Sequence, residues 1–324
     1  LSQSSVPPPS SDAIADELGV QRGFNAPRHI YRYSWKLHGY LLPILHAVDT
    51  ARSKDMDYSL KCLWCKALSG RDPRSPAFDD ALGYDMLPSG TRRLLTLPAR
   101  LFPRLIHFNI ELRTAYLDRA VRQEVALYGS TKKIRLVSLG AGYDVRSVRF
   151  LTSGLVQEAW EMDVSDVMTS KEVMLNRLVK RRQRRQRPVK LPTVIVQDLN
   201  DVDGLRNQIS TILHSSPQQE QWHTVFLLEG VLIYLKEGVP ASVLSTCSSA
   251  LKAEGLSGSL AFADLFRGNV SRNSNVETAH EFLQMHGWEL DRSSWCVKPG
   301  LARHMGVARV NAPTMPIEKT AGNK

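Results

Sequence analysis

The chain predicts a doubly wound α/β fold built on a mostly parallel sheet, and three observations carry that reading. An apolar β-type run, Ile134, Leu136, Val137 and Leu139, passes straight into Gly140-Ala141-Gly142 and a helix start. From residue 131 onward, strand-like and helix-like segments alternate, the pattern of a parallel sheet with crossover helices. Successive strands end in glycines or acids: Gly140/Gly142, Asp163, Asp198 and Glu229. In an open parallel sheet, ligands bind outside the carboxyl ends of the strands, so these positions are expected to meet at one rim.

In order, the expected strands are 134–139, 156–162 ending at Asp163, 193–197 ending at Asp198, 224–228 ending at Glu229, and 259–263 ending at Asp264. Helices are expected over 167–185, 205–213 and 239–253. Residues 28–130 read mainly as helices and loops. Their clearest helix is 107–129, where Leu112, Tyr116, Leu117, Ala120, Val121 and Val125 repeat at helical spacing. Arg113, Asp118, Arg119 and Arg122 stand among them as polar positions, and Gly129 ends the helix. Pro88, Pro98 and Pro103 break the preceding segment into short pieces. Residues 1–12 are rich in Ser and Pro and are expected to be disordered. Residues 215–221 read as a polar loop and 311–324 as a frayed tail.

The 324 residues, 43% hydrophobic and 23% charged, have an ordinary globular composition. No apolar run approaches the length of a membrane span. Four cysteines without a pairing framework suit a reduced, intracellular and cytoplasmic setting. The chain opens on Leu1 rather than Met, which leaves organelle targeting open. Cys62 and Cys65 form a CxxC with no second ligand pair, so no metal site is expected. The net charge is +10, and much of the excess lies in Lys180–Lys190. That run reads as a solvated basic helix end, with a patch for RNA, an acidic partner or a membrane surface as the rival. No aromatic residue interleaves it to stack on bases.

The rim residues suit a nucleoside. Glycines at 140 and 142 allow close approach of the backbone, and Asp163, 21 residues after Gly142, can accept from both ribose hydroxyls. The third glycine of a dinucleotide fingerprint is absent, because Val145 holds its place. S-adenosyl-L-methionine, which has adenine, ribose, a sulfonium and an amino acid end but no phosphate, fits better than a nicotinamide dinucleotide. Asp198 would then accept from the adenine amine, with Leu199 packing on the ring or offering its N–H. Glu229 would hold the methionine ammonium. Arg113 would grip the methionine carboxylate bidentately if its helix folds over the site. Each acid could instead cap the following helix.

These segments resemble a known family. SLGAGYDVR (138–146), EMDVSDVMTSK (161–171), QDL (197–199) and LLEGVLIYL (227–235) look like the successive motifs of the leucine carboxyl methyltransferase family. RTAYLDRAV (113–121) resembles its helix before the sheet, and LWCKALSGRDPRSPAFDD (63–80) its early basic segment. The match is closer to the broad O-methyltransferase branch than to the phosphatase-modifying enzyme, since LIHFNIELR precedes the helix here. The resemblance implies a class I methyltransferase sheet with an antiparallel C-terminal strand and an N-terminal helical cap. It implies S-adenosyl-L-methionine as donor and O-methylation as the reaction. It places Arg113, Gly140 and Glu229 at the methionine moiety, with Ala141 and Gly142 in the same turn, and matches Lys66 to the family's early basic residue at the cofactor site. Asp163 falls at the ribose, Asp198 and Leu199 at the adenine, and Tyr234 near the methyl group. The implied division is an extension over 1–27, a cap over 28–130, a donor-binding core over 131–310 and a tail over 311–324.

The expected acceptor is a carboxylate, on a protein C-terminus or a small acid. It is deprotonated at neutral pH and needs no general base. A phenol or alcohol would need one, for which His107 is the nearest candidate. A tRNA-directed enzyme of the same superfamily and a non-catalytic nucleotide-binding module are the alternatives.

Overall fold

The computed structural model describes residues 54–71, 75, 77–96, 108–215, 221–266, 270, 275–296 and 304–310. Strand β1 (Lys133–Leu139) is buried at every position after Lys133, as a strand covered on both faces must be. It pairs in parallel with β2 (Glu158–Asp163) on one side and β4 (Trp222–Glu229) on the other. β3 (Thr193–Val196) lies beyond β2, and β5 (Ser257–Asp264) beyond β4, both parallel. β7 (His304–Val310) pairs antiparallel with β5, and the short β6 (Glu289–Leu290) pairs antiparallel with β7. The order is β3-β2-β1-β4-β5-β7-β6. The winding reverses between β1 and β4, where a crevice opens at the strands' carboxyl ends.

Among the described residues, four helices precede the sheet: α1 (Lys54–Ser69), α2 (Leu82–Met86), α3 (Ser89–Thr96) and α4 (Phe108–Tyr128). Within and after it come α5 (Arg146–Thr152), α6 (Ser165–Arg184), α7 (Val202–His214), α8 (Val239–Ala253) and α9 (Val276–Met285). Alternate strand residues feed two cores. Val137, Leu139, Phe226, Leu228 and Phe262 pack with α7, α8 and α9. Leu136, Val225, Leu227 and Ala261 pack with α4. A third cluster joins Leu60, Leu63 and Trp64 of α1 and Met86 of α2 to Val167, Leu175 and Leu178 of α6. Each fully buried Leu or Phe stabilises the fold by about 1.5–3 kcal/mol relative to exposure.

Helix and strand positions follow the sequence expectation within a few residues. α7 starts earlier than expected because Asp201 caps it, its Oδ1 accepting from Gly204 N at 3.0 Å. α9 was not anticipated by periodicity; Asn275 caps it by accepting from Thr278 N at 3.0 Å. The larger correction concerns α4. Arg113 and Asp118, read from the sequence as polar positions, are buried, with Thr114 and Ala115 between Arg113 and Tyr116 buried as well. That helix is enclosed nearly all round over this stretch and carries its charges inward.

The basic run is only in part the solvated helix end expected of it: Arg184, Arg185, Arg187 and Lys190 are exposed, but several of its arginines also bind the segment before the sheet. Arg181 donates to the Asp85 and Leu87 carbonyls, and Arg182, itself buried, pairs with Asp80 and Asp85. Arg185 reaches the Asp85 carboxylate at 2.8 Å and Arg187 reaches Asp80 at 3.3 Å. The end of α6 is thus a clasp on the segment around α2. The expected disorder at 1–12, the extension at 1–27, Pro98, Pro103, His107 and the tail at 311–324 lie outside the described residues. Among the described residues, no helix is long and apolar enough to cross a membrane, and no cluster of His, Cys, Asp and Glu is arranged to hold a metal ion.

Candidate active site

The turn after β1 explains its glycines. Gly140 has φ +66° and a Cβ there would overlap the Val231 side chain, while Gly142 has φ +49°. Ala141 N donates to the Met162 carbonyl at 2.9 Å, which ties the turn to β2. Gly142 N donates to Asp163 Oδ2 at 2.7 Å, and Val164 N donates to Asp163 Oδ1 at 2.8 Å. Asp163 is therefore fixed in place by a backbone N–H on each of its oxygens.

Asp144 follows this turn. Its Oδ1 accepts from Arg146 N, the first N–H of α5, at 2.6 Å. An anion thus already stands where a pyrophosphate would seek the helix N-terminus, and Val145 is buried where a dinucleotide fingerprint has its third glycine. This donor set suits a nucleoside without phosphate.

Glu229, the last residue of β4, anchors an ionic network. Its Oε1 accepts from Arg113 Nε at 2.8 Å; its Oε2 accepts from Lys66 Nζ at 2.9 Å and Arg146 Nη2 at 3.0 Å. Lys66 also reaches Asp144 at 2.5 Å, and Arg146 reaches Asp144 and Asp118, each at 2.7 Å. Arg149 pairs with the other Asp118 oxygen. Burial pushes the Glu229 carboxyl up, but Lys66, Arg146 and Arg113 together outweigh it and hold it below the usual range. The same competition, led by Arg146 and Lys66, keeps Asp144 well below its ordinary value. Lys66, Arg113, Arg146 and Arg149 thus interlock with Asp118, Asp144 and Glu229 in one ionic cluster.

Arg113 Nη2 also donates to Cys62 Sγ at 3.2 Å. With Nε on Glu229 and Nη2 on Cys62, the bidentate fork expected of Arg113 is not preset, because a buried guanidinium must satisfy its donors locally. Cys62 and Lys66 stand one helical turn apart on α1, which is how that helix reaches the rim. The CxxC is thus split: Cys62 joins the site while Cys65 is core, its thiol pushed up by burial.

Asp198 is exposed, and its Oδ1 accepts from Asn200 N and Nδ2, both at 2.9 Å. The Leu199 side chain belongs to the core beneath it, which favours a backbone role over ring packing. Past Glu229, Asp264 at the end of β5 accepts from Val231 N at 2.7 Å and Leu232 N at 3.0 Å. It shapes the loop leading to a 3-10 turn, Leu232–Tyr234, which leaves Tyr234 half exposed.

All ten residues singled out from the sequence, Lys66, Arg113, Gly140, Ala141, Gly142, Asp163, Asp198, Leu199, Glu229 and Tyr234, line one cleft of roughly 1080 Å³ including its open mouth. Sequence reasoning missed Cys62, Asp144, Arg146 and Asp264. For Asp264, its place at a strand end was the available signal.

The structure resembles several methyltransferases at low identity. Magnesium protoporphyrin IX methyltransferase from Synechocystis PCC 6803, solved with S-adenosylmethionine bound, aligns at 14% identity and a TM-score of 0.40, covering 68% of this chain and 91% of that one. A putative O-methyltransferase from Nostoc punctiforme PCC 73102 aligns at 11% identity and 0.37, covering 93% and 88%. The pyocyanin biosynthetic protein PhzM aligns at 13% identity and 0.37, with the same coverage. No curated protein sequence matches the chain. The family model of leucine carboxyl methyltransferase matches residues 60–248, more than half the chain, from α1 through α8. The sheet is that of a class I methyltransferase, and its donor is S-adenosylmethionine. The chain belongs to the leucine carboxyl methyltransferase family.

Proposed function

We propose that this S-adenosylmethionine-dependent methyltransferase esterifies a carboxylate, on a protein C-terminus or a small acid, and that the ten cleft residues named above form its site. The observation that carries the acceptor class is the lining of the cleft: among the described residues it includes no histidine, and its one lysine, Lys66, is paired with Asp144 and Glu229. A lining short of nitrogen bases favours an acceptor already ionised over an alcohol.

When bound, S-adenosylmethionine supplies a methyl group already activated on a sulfonium. The acceptor oxygen forms the new O–CH3 bond as the S–CH3 bond breaks, and that bond's electron pair stays on sulfur. The protein's work is alignment and exclusion of water. Asp163 accepts from the ribose hydroxyls while its two backbone bonds hold it still. Asp198 and the Leu199 N–H meet the adenine edge. Glu229 attracts the ammonium, and Lys66 and Arg113 attract the donor carboxylate. Tyr234 borders the methyl group from the mouth of the cleft and orients the acceptor. A carboxylate acceptor arrives deprotonated, so no side chain has to remove a proton.

The tRNA-directed reading loses some support because Arg181, Arg182 and Arg185 of the basic run are engaged with Asp80, Asp85 and nearby carbonyls, and the run carries no stacking ring. The test has two stages. S-adenosylhomocysteine, but not NAD or NADP, should raise the melting temperature, and Asp163→Ala should abolish the shift. Labelled donor offered to carboxylic acids, cell proteins and tRNA should then give a base-labile ester. Label entering only tRNA or alcohols would overturn the carboxylate assignment.

A further inference from the structure

We propose that the outer edge of β3 is a self-association surface on which a second copy of this chain pairs, antiparallel, across a two-fold axis. Among the described residues β3 is the last strand on its side of the sheet, paired with β2 alone. A terminal strand presents unpaired N–H and C=O groups, and natural edges are usually blunted by charges, bulges or cover. This one instead shows apolar side chains. Val196 is 57% exposed, Leu191 43% and Val194 42%. Ile195 points the other way and packs against the core, so the exposure of Val194 and Val196 follows from the pleat.

Charge identifies the occupant. Before the strand, Arg184 and Lys190 are exposed, while Arg187 is shared with Asp80; after it, Asp201 is exposed, while Asp203 is shared with Arg206. A strand that is positive at its start and negative at its end repels a parallel copy and complements an antiparallel one. Centred on Ile195, such a pair sets Val194 opposite Val196 of the second copy, and the basic approach of each beside the acidic exit of the other. The interface is isologous, as a two-fold requires. Pro192 lacks an N–H and limits the ladder to the four residues of β3, which makes the dimer modest and reversible. A nucleic acid fits less well, because the surface combines valines with both signs of charge and offers no stacking ring.

Sedimentation equilibrium on the full chain tests this. The expected result is a monomer–dimer equilibrium that weakens as salt rises, with amide exchange at 193–196 slowing in concentrated protein. Val194→Lys, Val196→Lys and the surface change Lys190→Glu should each raise the dimer dissociation constant at least about tenfold, with circular dichroism and melting temperature unchanged. A chain that stays monomeric up to about 100 µM, a weak limit on the affinity scale, would overturn the proposal. A dimer indifferent to all three substitutions, or binding of RNA or an acidic peptide to this edge without self-association, would overturn it too.

Discussion

Strand β4 enters the sheet at His223 and leaves it at Glu229, and each end sits in a buried ionic network. At the first end, His223 Nε2 lies 3.2 Å from Glu124 and 3.1 Å from Ser259, its Nδ1 lies 3.1 Å from Ser257, and Tyr128 stacks on its ring at 3.8 Å. Arg309 completes this cluster, bound to Glu124 at 2.7 Å and Asp291 at 3.0 Å. At the other end, Glu229 holds Lys66, Arg113 and Arg146 beside an open cleft. Both networks centre on a glutamate with cationic partners. One is sealed, with Glu124 and His223 wholly inaccessible; the other opens to the cleft. The difference teaches that access, not residue type, separates a structural ion cluster from one that can meet a ligand.

The largest expected effect separates the two ends directly. Glu229→Ala and Glu124→Ala should each destabilise the chain by about 3–5 kcal/mol, since each leaves buried cationic or imidazole partners uncompensated. Only Glu229→Ala should also abolish binding of S-adenosylhomocysteine, measured by calorimetry under conditions where both variants remain folded. Equal loss of binding in the two would dissolve the contrast. Arg113→Ala comes next, with donor affinity falling by about 100-fold, equivalent to roughly 3 kcal/mol.

Acid should strike the sealed end. Burial lowers the His223 pKa below its ordinary 6.5, and the hydrogen bonds from His223 and Arg309 lower that of Glu124 despite burial. Both groups bind protons less tightly when folded, so the unfolded chain takes up more and stability falls as pH drops below about 6.5. Urea melts of His223→Asn should show a flatter pH dependence between about pH 6.5 and 5. Asp79 works with the opposite sign. Burial pushes its carboxyl from 3.8 up to about 6, against the Gly83 N–H bond, so its contribution is present at low pH and lost as pH rises through 6. Asp79→Asn should therefore gain up to about 3 kcal/mol above pH 7. The smallest effect is expected of Tyr234→Phe, which should lower kcat by about tenfold with donor affinity unchanged.

The parallel strands were legible because β1, β4 and β5 carry apolar runs, Leu136–Val137, Val225–Leu228 and Leu260–Ala263, and because each strand ends beside a residue unlike its predecessors. Gly140, Asp163 and Glu229 announce themselves in that way. Asp144 and Arg146 did not, since a charged pair in a turn reads as solvated unless its partners are known. Those partners, Lys66, Asp118 and Glu229, lie tens of residues away. Asp118 was misplaced for the same reason: helical periodicity marks a charge as outward, and only the third dimension supplied the arginines that draw it in. α9 stayed hidden because its start signal is a single asparagine cap.

The clasp at the end of α6 changes how the chain's alkalinity should be handled. Neutralising Arg181, Arg182 and Arg185 to lower the isoelectric point would look like harmless surface tailoring. Those side chains instead fasten the neighbourhood of α2, which shares a packed cluster with α1, and α1 delivers Lys66 to the rim. A formulation change at the far end of one helix would thus be felt in the cleft that Lys66 lines.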